Sequence, residues 1–407
     1  MRFMNTPLLR GRERAPFLLL VALTACGTLG MHVIIPSLPA TARAMDIPIA
    51  TVQLTITLYL IGLSIGQLVY GPLSDRFGRR PVLLVGMTLF TLSSIMTAIA
   101  PTSEILIGAR ILQSIGGCSG LVLGRAAVRD SATPEQAAGQ LALLTLVMSM
   151  VPAIAPAIGG FITAFVHWRA SYVLLAVIGA ATLIATFVVL PETNRAKIGG
   201  SANRSLWRGY VRLLRSRAFL GYAIGGACST TAFYAFMAAA PFIFENHLGR
   251  PTHEVGLYYL ILMLGVALGS FMANRLSKRI QLRTGLRIAN VVTICGAAGF
   301  MLADITGYLN VVVVVGTVTL FMVGAGIASP FALAGSVSVN PQAIGAASGM
   351  YGFIQMGYGM LCTVVVELWD PGAVYPVAVV LFGSALAGMA VILLTGRRTG
   401  TTEPDRA

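Results

Sequence analysis

"GPLSDRFGRR", residues 71–80, sets two glycines around an aspartate among three arginines, and it stands between two apolar runs. The runs on either side, 50–72 and 81–100, each have about 20 residues, the length that crosses roughly 30 Å of hydrocarbon. A short polar string pinned between two such runs is a turn joining two membrane helices. Working outward, the same pattern recurs along the chain and gives twelve spans, near 17–39, 50–72, 81–100, 104–124, 139–163, 170–190, 218–241, 253–275, 286–304, 309–332, 343–365 and 373–395. Mean hydropathy is +0.83, and 56% of the 407 residues are hydrophobic against 10% charged. A soluble core of this size cannot enclose that much apolar surface. Short alternating segments, the mark of a membrane barrel, are missing. The fold class is an all-α polytopic membrane protein.

The net charge of +14 raises the question of nucleic acid. All but four of the 28 lysines and arginines fall on the side of the spans that holds both termini, and the exceptions are Arg43, Arg110, Arg169 and Arg250. Such asymmetry follows the positive-inside rule and predicts both termini in the cytoplasm. The charge therefore reports topology, and no nucleic-acid partner is expected. Arg10, Arg12 and Arg14 before "FLLLVALTACG" resemble a secretory signal ending at Cys26, but the apolar run continues to Leu38 and eleven spans follow. It reads as an uncleaved first helix. Cys26, Cys118, Cys228, Cys295 and Cys362 are scattered through the spans and read as small buried residues rather than disulfides or metal ligands.

The longest polar stretch, "PETNRAKIGGSANRSLWRGYVRLLRSR" (191–217), divides the spans six from six. Its arginines interleave with Leu206, Trp207, Tyr210, Leu213 and Leu214, as in an amphipathic segment lying on a leaflet. The expected units are a first six-helix bundle over 1–190, a linker over 191–217, a second bundle over 218–395 and a tail over 396–407. A weak repeat supports this, since "GQLVYGPLSDRFGRR" (66–80) aligns with "GSFMANRLSKRIQLR" (269–283). Two related bundles with a substrate path between them is a recurrent transporter plan.

The string 71–80 resembles motif A of the major facilitator superfamily, with Gly71, Leu73, Asp75, Arg76, Gly78, Arg79 and Arg80 in its defining positions. Physically it reads as a latch: Asp75 needs a partner, and the start of the eleventh span offers Asn340 and Pro341 with a positive helix-dipole end. In the fourth span, Arg110 and Gln113 resemble the family's motif B, with Ser114 where that motif has glycine. An intramembrane arginine is costly and marks function by default, although snorkelling from the span's end is the alternative. Gly116, Gly120 and Gly124 form a small-residue stripe suited to close packing. In the fifth span, "VPAIAPAIGG" (151–160) resembles the antiporter motif C through Pro152, Pro156, Gly159 and Gly160, with Ala155 replacing its first glycine.

That alanine form, with "IPSLP" (35–39), "HWRASY" (167–172), "APFIFENHLG" (240–249) and "GAASGMYGFIQ" (345–355), is similar to the bicyclomycin-resistance-type (Bcr/CflA) branch. The resemblance implies the twelve-helix major facilitator fold and drug/proton antiport from a bacterial inner membrane. Helical spacing suggests the lining of the path. Thr24, Thr28 and His32 share one face of the first span. The seventh adds Ser229, Phe233, Tyr234 and Phe236, and the eleventh adds Ser348, Tyr351, Gln355 and Tyr358, with Met356 nearby. This neutral, aromatic set suits amphiphilic small molecules, although each aromatic can equally be core.

Proton coupling needs a titratable group, yet all fourteen acids fall in loops or near span ends. The branch commonly carries an aspartate four residues before the first proline of its helix-1 signature, and here that position is His32. Depth places Arg110 at the same level, where an aspartate would pair with it and an imidazolium would be repelled. Three readings of His32 stand: a proton carrier, a neutral substrate-binding group with coupling through Glu245, Asp304 or Glu367, or a structural residue. The leading function is a monomeric secondary active exporter using protons, with no enzyme activity, metal or cofactor. A proton-linked or facilitative metabolite transporter is the alternative, since fold does not fix substrate. A non-transporting membrane sensor is a third.

Overall fold

The computed structural model describes residues 15–194, 202–340, 344–370 and 372–396. Among them the chain is helical throughout, with no strand. In order, the helices are α1 (Phe17–His32), α2 (Leu38–Met45), α3 (Ile49–Phe77), α4 (Arg79–Ile99), α5 (Ser103–Ser131), α6 (Pro134–Phe165), α7 (Trp168–Val189), α8 (Ala202–Arg215), α9 (Arg217–Thr231), α10 (Phe233–Phe242), α11 (Thr252–Leu276), α12 (Leu282–Ile305), α13 (Val311–Ser338), α14 (Ile344–Trp369) and α15 (Val374–Gly396). Twelve helical stretches are long and apolar enough to cross a bilayer. α8 is not among them: it packs on one end of the molecule, against α3, α9 and α14.

Four sequence expectations are revised. The first span does not run straight from 17 to 39: α1 stops at His32, a short 3₁₀ turn covers Ile35–Ser37, and α2 continues to Met45. Pro36 and Pro39 explain the break, because neither has an N–H to extend the helix. The seventh span covers Arg217–His247 rather than 218–241. It is interrupted at Ala232, just after Ser229, Thr230 and Thr231 turn their hydroxyls back to the carbonyls of Gly225, Gly226 and Ala227, a pattern that bends helices. Residues 71–80 are not a loop: α3 runs through Pro72 to Phe77, and α4 begins at Arg79. The whole turn is Gly78. Cys295 is also exposed, whereas the other four cysteines are buried as expected.

The repeat has a structural counterpart. Gly66 of α3 lies against Cys118 of α5, and its aligned partner Gly269 of α11 lies against Val323, Gly326 and Ile327 of α13. In each half the second span thus uses a glycine to seat itself on the fourth, which is the small-residue packing of membrane helices.

Prolines inside α3, α10 and α13 share one further device. Each removes the N–H that would bond the carbonyl four residues earlier. Leu68 O, behind Pro72, accepts instead from the Tyr210 hydroxyl at 3.4 Å. Met237 O, behind Pro241, accepts from Tyr259 at 2.8 Å, and Gly326 O, behind Pro330, from Ser270 at 3.4 Å. Each bared carbonyl is met by a hydroxyl from another helix.

The halves meet along α3 against α14 and α6 against α11. At the end away from the arginine-rich face, Arg43 of α2 pairs with Glu245 at 2.5 Å. Close by, Gln53 donates to Ala238 O at 3.2 Å, and Thr57 donates to Thr363 Oγ1 at 2.8 Å.

Candidate functional site

Gly78 has φ +94° and ψ 154°, a backbone region nearly closed to residues with a Cβ. Its missing side chain makes room for Glu192, since a Cβ there would lie 2.5 Å from Glu192 Oε2. The Glu192 carboxylate accepts the Arg79 and Arg80 N–H groups at 2.9 and 3.1 Å, at the positive end of the α4 dipole. Two residues on, the Asn194 amide donates to the carbonyls of Ser74 and Asp75 in the last turn of α3. The segment "PETN" therefore caps the end of one helix and the start of the next.

Charge closes the same knot. Arg79 pairs with Asp75 at 2.7 Å and with Asp130 of α5 at 3.1 Å, and also reaches the Ser74 hydroxyl. Arg80 donates to Phe187 O at 2.7 Å. Arg76 is exposed and lies over Phe77, while Gly71 meets no neighbour where its Cβ would be. The partner expected for Asp75 at the start of the eleventh span falls on Pro341, outside the described residues, while Asn340 is tied back to Val337 O. Within its own half, Asp75 pairs with Arg79. Burial, and after it the negative charge of Asp75, hold the Tyr210 phenol above its ordinary range, so that it remains a donor to Leu68 O. Sequence reasoning missed Glu192, Asp130 and Asn194, and the one available signal was an acid in the otherwise basic linker.

Arg110 is fully buried. One terminal nitrogen donates to Gly30 O at 2.8 Å and to Gln113 Oε1 at 2.5 Å, and the guanidinium lies 4.2 Å over the Tyr59 ring. Gly30 O is free because α1 ends two residues later, so the arginine satisfies a helix C-terminus. Gln113 passes the chain on to Ser94 Oγ of α4 at 2.7 Å. Thr24 bonds back to Leu20 O and packs its methyl on Gly124. Arg110, Gln113 and Thr24 are thus enclosed, with partners drawn only from the first six spans, and do not line a path between halves. That corrects the cavity placement expected for Thr24 and Gln113, and the full burial of Arg110, the proton-coupling candidate beside His32, excludes its snorkelling reading.

His32 is the last residue of α1, and its Nδ1 lies 2.8 Å from Thr28 O, so that nitrogen carries the proton and donates. Arg110 reaches the carbonyl two residues before it rather than the imidazole. Immediately after His32, Val33 O presses on Gly159, where a Cβ would lie far inside contact distance, and Gly160 faces Thr252 O of α11. Gly159 and Gly160 of motif C thus seat α6 against the break in the first span and against the second half. Pro152 and Pro156 lie inside the same helix, and Ala155 is buried.

On the second half, Gln355 donates to Thr230 Oγ1 at 2.9 Å and to the Tyr351 hydroxyl at 3.4 Å. Tyr234 packs on Gly359, and Tyr358 donates to Ser384 Oγ at 2.9 Å. Thr230, Tyr234, Gln355 and Tyr358 are half-buried, so α9, α10 and α14 present a neutral polar and aromatic face. Helical spacing missed Thr230, although it stands one turn from Tyr234. Ser229 is fully buried instead. Phe233 stacks on Phe236, which sets its edge against Phe244 and Phe300, so these rings are core. Among the described residues no cluster of His, Cys, Asp and Glu has the spacing of a metal site.

The model of the Major Facilitator Superfamily matches residues 20–363. The bicyclomycin resistance protein homolog of Haemophilus influenzae is 25% identical, covering 86% of this chain and 89% of that protein. Multidrug resistance protein D of Escherichia coli is 29% identical over 89% of this chain and 91% of its own. A crystal structure of a D-xylose-proton symporter superposes with a TM-score of 0.71 at 18% identity, over 94% of this chain and 97% of that one, which shows the fold. With twelve spans in two halves, a glycine turn at motif A and a match over most of its length, the chain belongs to the major facilitator superfamily, a family of transporters rather than enzymes.

Proposed function

We propose that this protein exports amphiphilic, drug-like molecules from a bacterial cytoplasm across the inner membrane, driven by inward proton flow through alternating access. The observation that carries the reading is the neutral face formed by Thr230, Tyr234, Gln355 and Tyr358. It holds no fixed charge for a sugar phosphate or a strong ion, and offers aromatic surface with a few hydrogen-bonding groups. The names of the drug-resistance relatives agree with it. The positive-inside distribution supports a cytoplasmic side for the arginine-rich face, the motif A turn and both termini. The end held by Arg43 and Glu245 then faces the periplasm. In this reading His32 is a neutral imidazole, fixed by Thr28 O, and the protein works as a monomer without metal or nucleic acid.

The test is expression in an efflux-deficient bacterium, with chloramphenicol and ethidium as probes, with and without a protonophore. Raised resistance and lowered ethidium accumulation, both abolished by the protonophore, are expected. Unchanged susceptibility across a wider compound panel would overturn export of drugs in favour of a dedicated metabolite transporter.

A further inference from the structure

α8 joins the second half through one residue, Ser216, whose N–H bonds Leu213 O and whose hydroxyl oxygen accepts from the Phe219 N–H of α9. Its docked face is narrow. Tyr210 and Leu213 are buried in one apolar cluster with Phe219, Ala346, Ala347 and Met350, and Tyr210 donates to Leu68 O of α3. The residues between and after them are turned out: Val211 and Leu214 are exposed, and so are Arg212 and Arg215. At about 100° per residue these six fall into three strips. Tyr210 and Leu213 form the docked strip, Val211 and Leu214 an apolar strip beside it, and Arg212 and Arg215 a basic strip beyond that. The same register runs back to the start of the helix, where Leu206 falls on the docked strip, Trp207 on the apolar one, and Arg204 and Arg208 on the basic one.

Depth and charge say what meets the outer strips. α3 has 29 residues, about 43 Å at 1.5 Å each, against roughly 30 Å of hydrocarbon. Its apolar run ends near residue 72, so Leu68, where Tyr210 bonds, lies about one turn inside the edge of the hydrocarbon. At that level an amphipathic helix rests with its apolar edge among acyl chains and its cations among headgroups. The basic strip has no counter-charge from the protein. The sequence holds no acid between Glu192 and Glu245, Glu192 is engaged at the start of α4, and Asp75 is paired with Arg79. α9 carries no acid, and the single acid of α14, Glu367, lies at its other end. Among the described residues Arg212 and Arg215 enter no ion pair. A basic strip alone would be content with water and salt. Set beside an apolar strip at the hydrocarbon edge, it selects an anion that carries acyl chains.

We propose that α8 is a docking surface for anionic phospholipid of the inner leaflet. The basic strip meets the lipid phosphates in charge-assisted contacts, which a zwitterionic headgroup offers only against its own ammonium. The apolar strip lies among the acyl chains, beyond the reach of a soluble phosphate ester. The docked strip stays on α3 of the first half and on α9 and α14 of the second, so the lipid is held where the halves meet at the arginine-rich end. The leaflet is named from the positive-inside reading above; the surface itself depends neither on transport nor on protons.

Full-length protein in phosphatidylcholine nanodiscs containing about a fifth phosphatidylglycerol tests this. Either lipid, brominated on its acyl chains, serves as a quencher of Trp207 fluorescence, read as the difference from Trp207→Phe. Brominated phosphatidylglycerol is expected to quench at least about twofold more than brominated phosphatidylcholine at the same fraction. Arg212→Gln combined with Arg215→Gln is expected to remove that excess, while Arg212→Lys combined with Arg215→Lys keeps most of it. Equal quenching by the two lipids in the wild type, or none by either, overturns the proposal. An excess that survives in the double glutamine variant places the preference elsewhere and overturns it too. So does loss of the excess on adding glycerol phosphate at constant ionic strength, which marks a site for free phosphate esters. None of these results touches the export reading, which the resistance assay tests separately.

Discussion

The two halves end their second spans in opposite ways. In the first half α3 passes to α4 through one glycine, and four anionic or amide groups (Asp75, Asp130, Glu192 and Asn194) tie the junction. In the second half α11 ends at Leu276, and residues 277–281 make a looser turn held by backbone bonds from Ser277, Arg279 and Ile280. Its Lys278 and Arg279 are exposed, and the sequence has no acid between Glu254 and Asp304 to pair with them. The two joints share a place in the repeat, but only the first has counter-charges. The joint of the first half is tied by side chains from α5 and from the segment after α7, and that of the second is held by bonds within itself.

Substitutions can break that contrast. Gly78→Val is expected to cost about 3 kcal/mol or more, because it forces a side chain into a glycine-only conformation against Glu192. Thermal unfolding in detergent reads this as a large drop in midpoint, while Ser277→Val, at φ −57°, should move it little. Glu192→Ala should cost about 2 kcal/mol by stripping two helix-start amides of their acceptor. Glu192→Gln, keeping one oxygen, should cost less in the same assay. Tyr210→Phe leaves Leu68 O bare and should cost about 1 kcal/mol, with proteolysis near α8 accelerated. Asp75→Asn is the smallest: its carboxylate is 43% exposed, so solvent screening keeps the loss below about 1 kcal/mol. Its expected effect is on export rate, and an unchanged rate would remove the latch role from Asp75. Lys278→Gln should leave both measurements unchanged.

Much of this is legible in the sequence. Twelve apolar runs, the basic bias and the string at 71–80 fix the class, because span length and motif spacing are local properties. Boundaries are less so: Pro72 reads as a helix stop, yet α3 continues because Tyr210, 142 residues from Leu68, supplies the missing donor. For the same reason the knot around Gly78 cannot be read locally. Glu192 and Asp130 lie 113 and 51 residues from Arg79, and nothing in the string itself names them. The site is legible in type but not in place. The arginine of the fourth span stands out in the sequence, yet its enclosure with Gln113 follows from α1 ending at His32, a break set by Pro36. Helical spacing finds Tyr234, Gln355 and Tyr358 on the neutral face of the second half. It misses Thr230 because a bend at Ala232 rotates the face.

The hydroxyls behind Pro72, Pro241 and Pro330 also bear on how the protein is made. A span threaded alone into the bilayer would carry a bare carbonyl at Leu68, Met237 or Gly326, and lipid offers no donor for it. Tyr259 emerges after Pro241, so α10 must wait for α11, whereas Ser270 is already in place when Pro330 arrives. Tyr210 comes latest relative to its target: α3 of the first half is completed only when α8, at the threshold of the second, has been synthesised and docked. The first six spans are thus inserted before they are finished, and the helix that follows them closes the last gap in their backbone.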